Sequence, residues 1–206
     1  NRTALVSDAL PKIPGLIAKL EAGAKVADVG CGAGIGPVSL AKAFPNTSVH
    51  GYDNSVHALK LAAENKRAAG VANVTFHIAY QEPLPSTPTF DLVMTLDCLH
   101  DMARPDLAAA AIRKAIKPDG AWFIVDVHGA STAAANLASP IAQLAFGFST
   151  FLCLPSSSAT EDGMQLGAYG LPEPKMRDLV TNAGFTSFKQ VDGLAHPFNA
   201  YYEVRP

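Results

Sequence analysis

The 206-residue sequence predicts a doubly wound α/β fold, a mostly parallel seven-stranded sheet with helices on both faces. Three observations carry this reading. Short apolar runs alternate with helix-forming stretches over residues 25–127, the rhythm of parallel strands joined by helical crossovers. The first run opens into "GCGAGIG", which puts glycines at 30, 32, 34 and 36 on a strand-to-helix turn. Near the C-terminus, "FTSFKQV" and "HPFNAYYEV" are separated by only a few residues around Gly193, too few for a crossover helix, so that pair is antiparallel.

Taken in order, residues 12–22 read as a short helix ended by Gly23, and residues 25–29 as a buried strand. The glycine loop leads into a helix through "PVSLAKAF", with Pro37 in its first turn. "TSVHGYD" is the second strand. The helix "SVHALKLAAENKRAAG" follows, with Ser55 at its N-cap and Gly70 past its end; Val56, Leu59, Ala62 and Ala63 share one face. "NVTFHI" and "FDLVMTL" are the third and fourth strands, "RPDLAAAAIRKAI" a helix stopped by "KPDG", and "AWFIVDV" the fifth strand. The rhythm breaks over residues 130–171, rich in Ala, Ser and Gly, where helices covering the ligand-bearing edge of the sheet are expected. "EPKMRDLVTNAG" resumes an amphipathic helix before the closing strands. The whole, 1–206, reads as one domain, with 130–171 as a lid inside it.

Composition narrows the function classes. With 49% apolar and 17% charged residues and a net charge of −2, the chain has neither the profile of a disordered protein nor the basic surface of a nucleic-acid binder. No apolar run approaches the ~20 residues of a membrane span, and no secretory layout opens the chain. A cytoplasmic protein handling small molecules is expected, with Cys31, Cys98 and Cys153 reduced. The start at Asn1, with no Met, reads as a fragment whose preceding domain is missing.

In an open parallel sheet, ligands bind beyond the carboxyl ends of the strands where the order reverses, and the glycine loop stands at that place. Bare backbone there lets a ligand lie against the chain and reach free helix N–H groups. A nicotinamide site expects G-x-G-x-x-G, but Ile35 or Pro37 falls on the third glycine. The pattern is D-x-G-x-G-x-G, beginning at Asp28. A carboxylate at the strand end would repel a pyrophosphate and suits a cationic ligand such as S-adenosylmethionine.

"VADVGCGAG", "VHGYDNS", "FDLVMTLDCLHDM" and "IKPDGAWFIVD" together resemble the successive signature segments of class I S-adenosylmethionine-dependent methyltransferases, over roughly residues 20–130. More narrowly, "DCLHDM", "STFLCLPSS" and "LVTNAGFTSFKQV" are similar to a bacterial-type branch in which a winged-helix-like domain usually precedes the catalytic one. The resemblance leaves room for a homodimer held through that absent domain. It implies a Rossmann-like methyltransferase fold and these cofactor contacts: Asp28 and the loop at Gly30, Cys31, Gly32 and Gly34 for the methionine end, Asp53 for the ribose hydroxyls, Asn54 beside the adenosine, and Asp97 and Cys98 at the exit of the fourth strand. Most members place an acid after the third strand for the adenine amino group; here Tyr80 and Gln81 stand there, to stack or accept a hydrogen bond.

Methyl transfer needs alignment and exclusion of water, and a base only if the acceptor must lose a proton. His100 in "LDCLHD" is the first candidate base, and a histidine that only packs or hydrogen-bonds fits that segment as well. His128, just past the fifth strand, is the second candidate, against a turn-capping role. Asp97, Asp101 and Asp126 do not form the ligand pattern of metal-dependent catechol-type enzymes, so no metal is expected. Phe146, Phe148, Phe151, Leu152 and Met164 would line an apolar acceptor pocket or form the lid's own core. The expected activity is methyl transfer to a small, fairly apolar acceptor, at oxygen. The alternatives are a nicotinamide-dependent oxidoreductase and a non-catalytic S-adenosylmethionine-binding regulatory module.

Overall fold

A computed structural model describes residues 4–194 and 196–206. Seven strands form one sheet: β1 (Lys25–Val29), β2 (Ser48–Asp53), β3 (Val74–Ile78), β4 (Phe90–Leu96), β5 (Ile116–Val127), β6 (Ser187–Gln190) and β7 (Asn199–Arg205). Their order is β3-β2-β1-β4-β5-β7-β6. Every pairing from β3 to β5 is parallel, and β7 runs antiparallel to both β5 and β6. The order reverses at β1, which lies between β2 and β4, so the carboxyl ends of β1, β2, β4 and β5 meet along one edge.

Alternate residues of the inner strands feed two cores, as expected of parallel strands covered on both faces. Val26, Met94, Phe123 and Val125 point to one; Ala27, Val93, Trp122 and Ile124 point to the other. The first is closed by α1 (Leu16–Ala22) and α2 (Ile35–Ala43), with Leu10, Ile13 and Leu20 fully covered. The second is closed by α4 (Pro105–Ala115) and α8 (Glu173–Asn182). Between α2 and α4, α3 (Val56–Ala69) flanks β2 and β3, and Ser55 caps it by accepting from Ala58 N–H. Of its predicted apolar face only Ala62 is fully buried; Leu59 is half-buried, and Val56 and Ala63 are exposed.

Two predicted boundaries move for local reasons. The helix expected over 12–22 starts at Leu16, because Pro14 forces Ile13 into an extended conformation (φ −88°, ψ 115°) and Gly15 turns left-handed. The fifth strand pairs from Ile116 rather than Ala121. Phe90 faces Ile116 and Leu92 faces Ala121, so the intervening residues, with exposed Pro118 and Asp119, bulge outward between the two pairings.

The segment after residue 129 is largely helical from Ala133 to Ser157 and irregular from there to residue 172. It holds α5 (Ala133–Leu137), α6 (Ala142–Phe148), a π turn at Ser149–Cys153 and α7 (Leu154–Ser157), the last three running on without a break. It lies over the carboxyl edge of the sheet. Arg104 pairs with both Asp106 and Asp162, and Met164 N–H donates to Ala103 O (2.8 Å), tying the lid's far end to the start of α4. No helix among the described residues is long and apolar enough to cross a membrane.

Candidate active site

Two adjoining cavities open at this edge. The larger, about 800 Å³, is bordered by Gly30, Asp53, Asn54, Asp97, Cys98 and the lid residues Ser156 and Thr160, among others. The smaller, about 380 Å³, is bordered by His100, Asp101, Phe148, Leu152, Cys153 and Asn199, among others. Asp97 and Asp101 border both.

The glycine loop shapes the larger cavity. Gly30 sits at φ +77°, and a Cβ there would lie 2.7 Å from Cys98 Sγ; only a bare residue lets the turn after β1 pass so close to the turn after β4. Gly36 serves a different need. Within the first turn of α2, a Cβ on it would come to 3.0 Å from Asp28 Oδ2, so the missing side chain makes room for a carboxylate that is 2% exposed. Gly32 acts through its N–H, which donates to Asp53 Oδ2 (2.8 Å), while Ser55 N–H donates to Asp53 Oδ1 (2.8 Å).

Those two bonds hold the Asp53 carboxylate rigidly at the end of β2. Each of its oxygens keeps lone-pair capacity for another donor, and a carboxylate so placed matches a pair of ribose hydroxyls. Ala79, Pro83 and Leu84 supply an apolar flank beside Tyr52, suited to a flat base. The donor set therefore fits S-adenosylmethionine: fixed carboxylate, close backbone and apolar slot. Burial first, then Asp126 and Asp28, push the Cys98 thiol well above its ordinary pKa; it donates to Val29 O (3.2 Å) and is packing, not a nucleophile.

Not every candidate borders this space. Tyr80 is 62% exposed and Gln81 is exposed; both lie outside the lining, which at that point is made by Ala79, Pro83 and Leu84. Asp28, Cys31, Gly32 and Gly34 are not among the residues bordering this cavity. His128 is exposed and borders a surface recess that adjoins the smaller cavity through His196 and Asn199; its N–H donates to Phe198 O (2.7 Å). Structure thus separates the two candidate bases.

His100 lies on a short turn, Leu99–Asp101, immediately after β4 and is 4% exposed. Its Nδ1 is 2.5 Å from Oδ1 of Asp126, itself 1% exposed at the end of β5. Asp126 Oδ1 also accepts from Val127 N–H (2.7 Å), which fixes the carboxylate. Its partner nitrogen, Nε2, lies 3.3 Å from Asp101 Oδ1. Burial alone would push the imidazole down. The hydrogen bond and charge of Asp126, with Asp101 and Asp97 behind it, outweigh burial and push its pKa up to about 9.

Asp97 takes a left-handed backbone (φ +63°), a conformation Asp accepts better than most residues. Its N–H donates to Val125 O, and Asn199 Nδ2 donates to its Oδ1 (2.7 Å). Burial, then Asp126, raises its carboxyl from the ordinary value, with His100 and Asn199 opposing. Asn199 is a site residue that the sequence did not flag. It reaches the edge because β7 starts there, paired with Val127. Cys153 also borders the smaller cavity; burial first, then Asp101, push its thiol up to about 12, so it is a neutral wall.

Comparison with known proteins agrees with this geometry. Residues 20–152 match a family model described as a methyltransferase domain. Ubiquinone biosynthesis O-methyltransferase from Ralstonia nicotianae is 36% identical over 108 residues, 52% of this chain and 44% of the relative. Ribosomal RNA small subunit methyltransferase G from Bacteroides fragilis is 37% identical over 79 residues, 38% of this chain and 37% of the relative. The chain thus spans less than half the length of these curated relatives. Among solved structures, an O-methyltransferase family protein from Burkholderia thailandensis aligns over 99% of this chain and 56% of its own, with a TM-score of 0.69 at 17% identity. Human N-acetylserotonin methyltransferase in complex with S-adenosylmethionine aligns over 95% and 50%, with a TM-score of 0.60 at 17% identity. A sheet order that reverses beside a glycine loop, an anchored strand-end acid and a family match over most of the described fold lead to one assignment: the chain belongs to the class I S-adenosylmethionine-dependent methyltransferases.

Proposed function

We propose that this protein transfers the methyl group of S-adenosylmethionine to the oxygen of a small hydroxylated, fairly apolar acceptor. The observation that supports this reading is the buried His100–Asp126 pair on the wall of the smaller cavity, next to Asp97, which the cofactor cavity shares. When bound, the cofactor supplies a methyl carbon already activated by positive sulfur. The chain's own work is to hold, align and move one proton. Asp53 holds the nucleoside end, and the apolar wall formed by Phe148, Leu152 and Phe198 excludes water from the acceptor.

His100 accepts the acceptor's proton at Nε2. Asp126, anchored by Val127 N–H, fixes the ring with Nδ1 inward and stabilises the imidazolium that forms. With a pKa near 9, His100 is close to a phenolic hydroxyl at about 10, so the proton moves between near-matched groups. The proton leaves afterwards to solvent and the methyl ether departs. A module that only senses its ligand has no use for a buried charged pair in the acceptor cavity, which favours an enzyme. The catalytic assignment goes to His100; His128, outside both cavities, is left a surface role.

The test is calorimetry with S-adenosylmethionine and its demethylated product, followed by transfer of labelled methyl to a panel of simple catechols and phenols. Binding of the product with labelled ethers formed is the expected result. Lack of any binding by either compound would refute the reading.

A further inference from the structure

The lid and the turn after β4 bring three metal-ligating side chains together on the smaller cavity. His100 and Asp101 belong to the turn Leu99–Asp101; Cys153 ends the π turn Ser149–Cys153, which packs against it. π turns recur at functional sites, and this one delivers the lid's only thiol. His100 and Cys153 are buried and Asp101 is half-buried. One ligand atom from each of the three lies within 4.8 Å of the other two.

Two observations read as a coordination shell rather than a hydrogen-bond network. Asp101 Oδ1 is buried and accepts no hydrogen bond among the described residues, although His100 Nε2 stands 3.3 Å from it. A nitrogen and an oxygen each about 2.0 Å from a tetrahedral ion are about 3.3 Å apart, so these two atoms already hold that spacing. The second observation is the far side of the ring. Asp126 binds Nδ1 (2.5 Å) and is itself fixed by Val127 N–H, the carboxylate–histidine arrangement that orients a ligating imidazole and leaves its other nitrogen for the ion. Imidazole, carboxylate and thiol together suit zinc, whereas magnesium and calcium favour oxygen ligands. Three protein ligands leave one position for water from the cavity they border.

We infer that His100, Asp101 and Cys153 form a zinc site and that zinc held there switches transfer off; the second half rests on the function proposed above. The ion occupies the lone pair of Nε2, the atom that must receive the acceptor's proton. Its binding displaces the Cys153 thiol proton, and any proton on Nε2, to solvent. It also ties the lid, through Cys153, to the turn after β4, and takes the acceptor's place beside His100.

The probe is the metal alone, added to chelator-stripped, reduced protein. Calorimetry is expected to show one tight zinc per chain, and cobalt in its place to give the charge-transfer absorption of a cobalt–thiolate bond. Cys153→Ser should abolish that absorption and weaken zinc at least roughly tenfold, while Asp126→Asn, behind the ring, should weaken it roughly ten- to hundredfold and keep the absorption. No thiolate absorption from cobalt in the wild type, or one that survives Cys153→Ser because Cys31 or Cys98 supplies it, overturns the inference. Methyl transfer to the phenol panel, referred to each protein's own metal-free rate, is expected to fall roughly 10²-fold or more at saturating zinc, the contribution of a general base, and to return with chelator. Unchanged or faster transfer with the site filled overturns the switch. A stripped protein that methylates no phenol refutes the proposed function and the switch with it, while the cobalt spectrum alone decides the site.

Discussion

Replacing Asp126 with Asn tests the pair most directly. The change keeps shape and hydrogen-bonding capacity, and removes the charge that holds His100 protonated. With that charge gone, burial, the largest influence on the ring and one that disfavours its cation, is opposed only by the more distant Asp101 and Asp97. The pKa should fall from about 9 to about 6.5 or lower, about 2.5 pH units, on the order of 3 kcal/mol of differential stabilisation. In the wild type kcat/KM should climb about tenfold per pH unit between pH 7 and 9 and then level, because only the neutral ring is a base. In Asp126→Asn the limb should move to acid by that 2.5 units and the plateau should drop roughly 10²- to 10⁴-fold, as the ring loses orientation and its stabilised cation. The stability consequence has a definite sign. A raised histidine pKa stabilises the fold fully below about 6.5, and that contribution disappears as pH rises through about 9. Thermal unfolding of the wild type should therefore weaken across pH 6.5–9 more than that of the variant, which gives a readout independent of turnover. The His100 imidazole followed by NMR would give the pKa itself. A limb that stays near 9 in the variant would refute the assignment of Asp126 as the cause.

Two further changes probe the cofactor side. Asp53→Ala removes the acceptor of the Gly32 and Ser55 N–H bonds as well as the ribose anchor, and calorimetry should show S-adenosylmethionine affinity falling at least roughly ten- to hundredfold, the loss of one to two charge-assisted bonds. Arg104→Ala releases the lid's Asp162 from the start of α4, a bridge of partly exposed groups; cofactor dissociation in stopped flow should quicken only about two- to fivefold, and the difference should fade at high salt.

Much of this arrangement was legible because the information is local. β1 and β4 fall on their predicted residues since a short apolar run bounded by turns leaves little freedom, and Ser55 and Gly70 cap α3 as their chemistry dictates. The Pro14 signal is equally local, and its steric effect on Ile13 overrides the helical pattern of the residues around it. What lay beyond reach is what strand pairing alone creates. His100 and Asp126 are 26 positions apart and meet because β4 and β5 are neighbours. Asn199 stands 102 positions from Asp97 and joins it only through the antiparallel register of β7. An Asn opening the last strand was the available signal, visible only once that strand is known to run beside β5. On the adenine side the resemblance points to Tyr80 and Gln81, but the chain turns after Ile78, both are exposed, and Ala79, Pro83 and Leu84 border the cavity instead.

The wall that Asp97 forms between the two cavities has a consequence for how ligands bind. Asp97 and Asp101 border both cavities, and Asp97 is held by its N–H donating to Val125 O and by Asn199 Nδ2 donating to its carboxylate. Anything one ligand does to the position or protonation of that group is felt by the other, and thermodynamics requires the effect to be returned in equal measure. The factor by which the cofactor alters acceptor affinity must therefore equal the factor by which the acceptor alters cofactor affinity. Two titrations, run in either order, close a cycle around this shared wall.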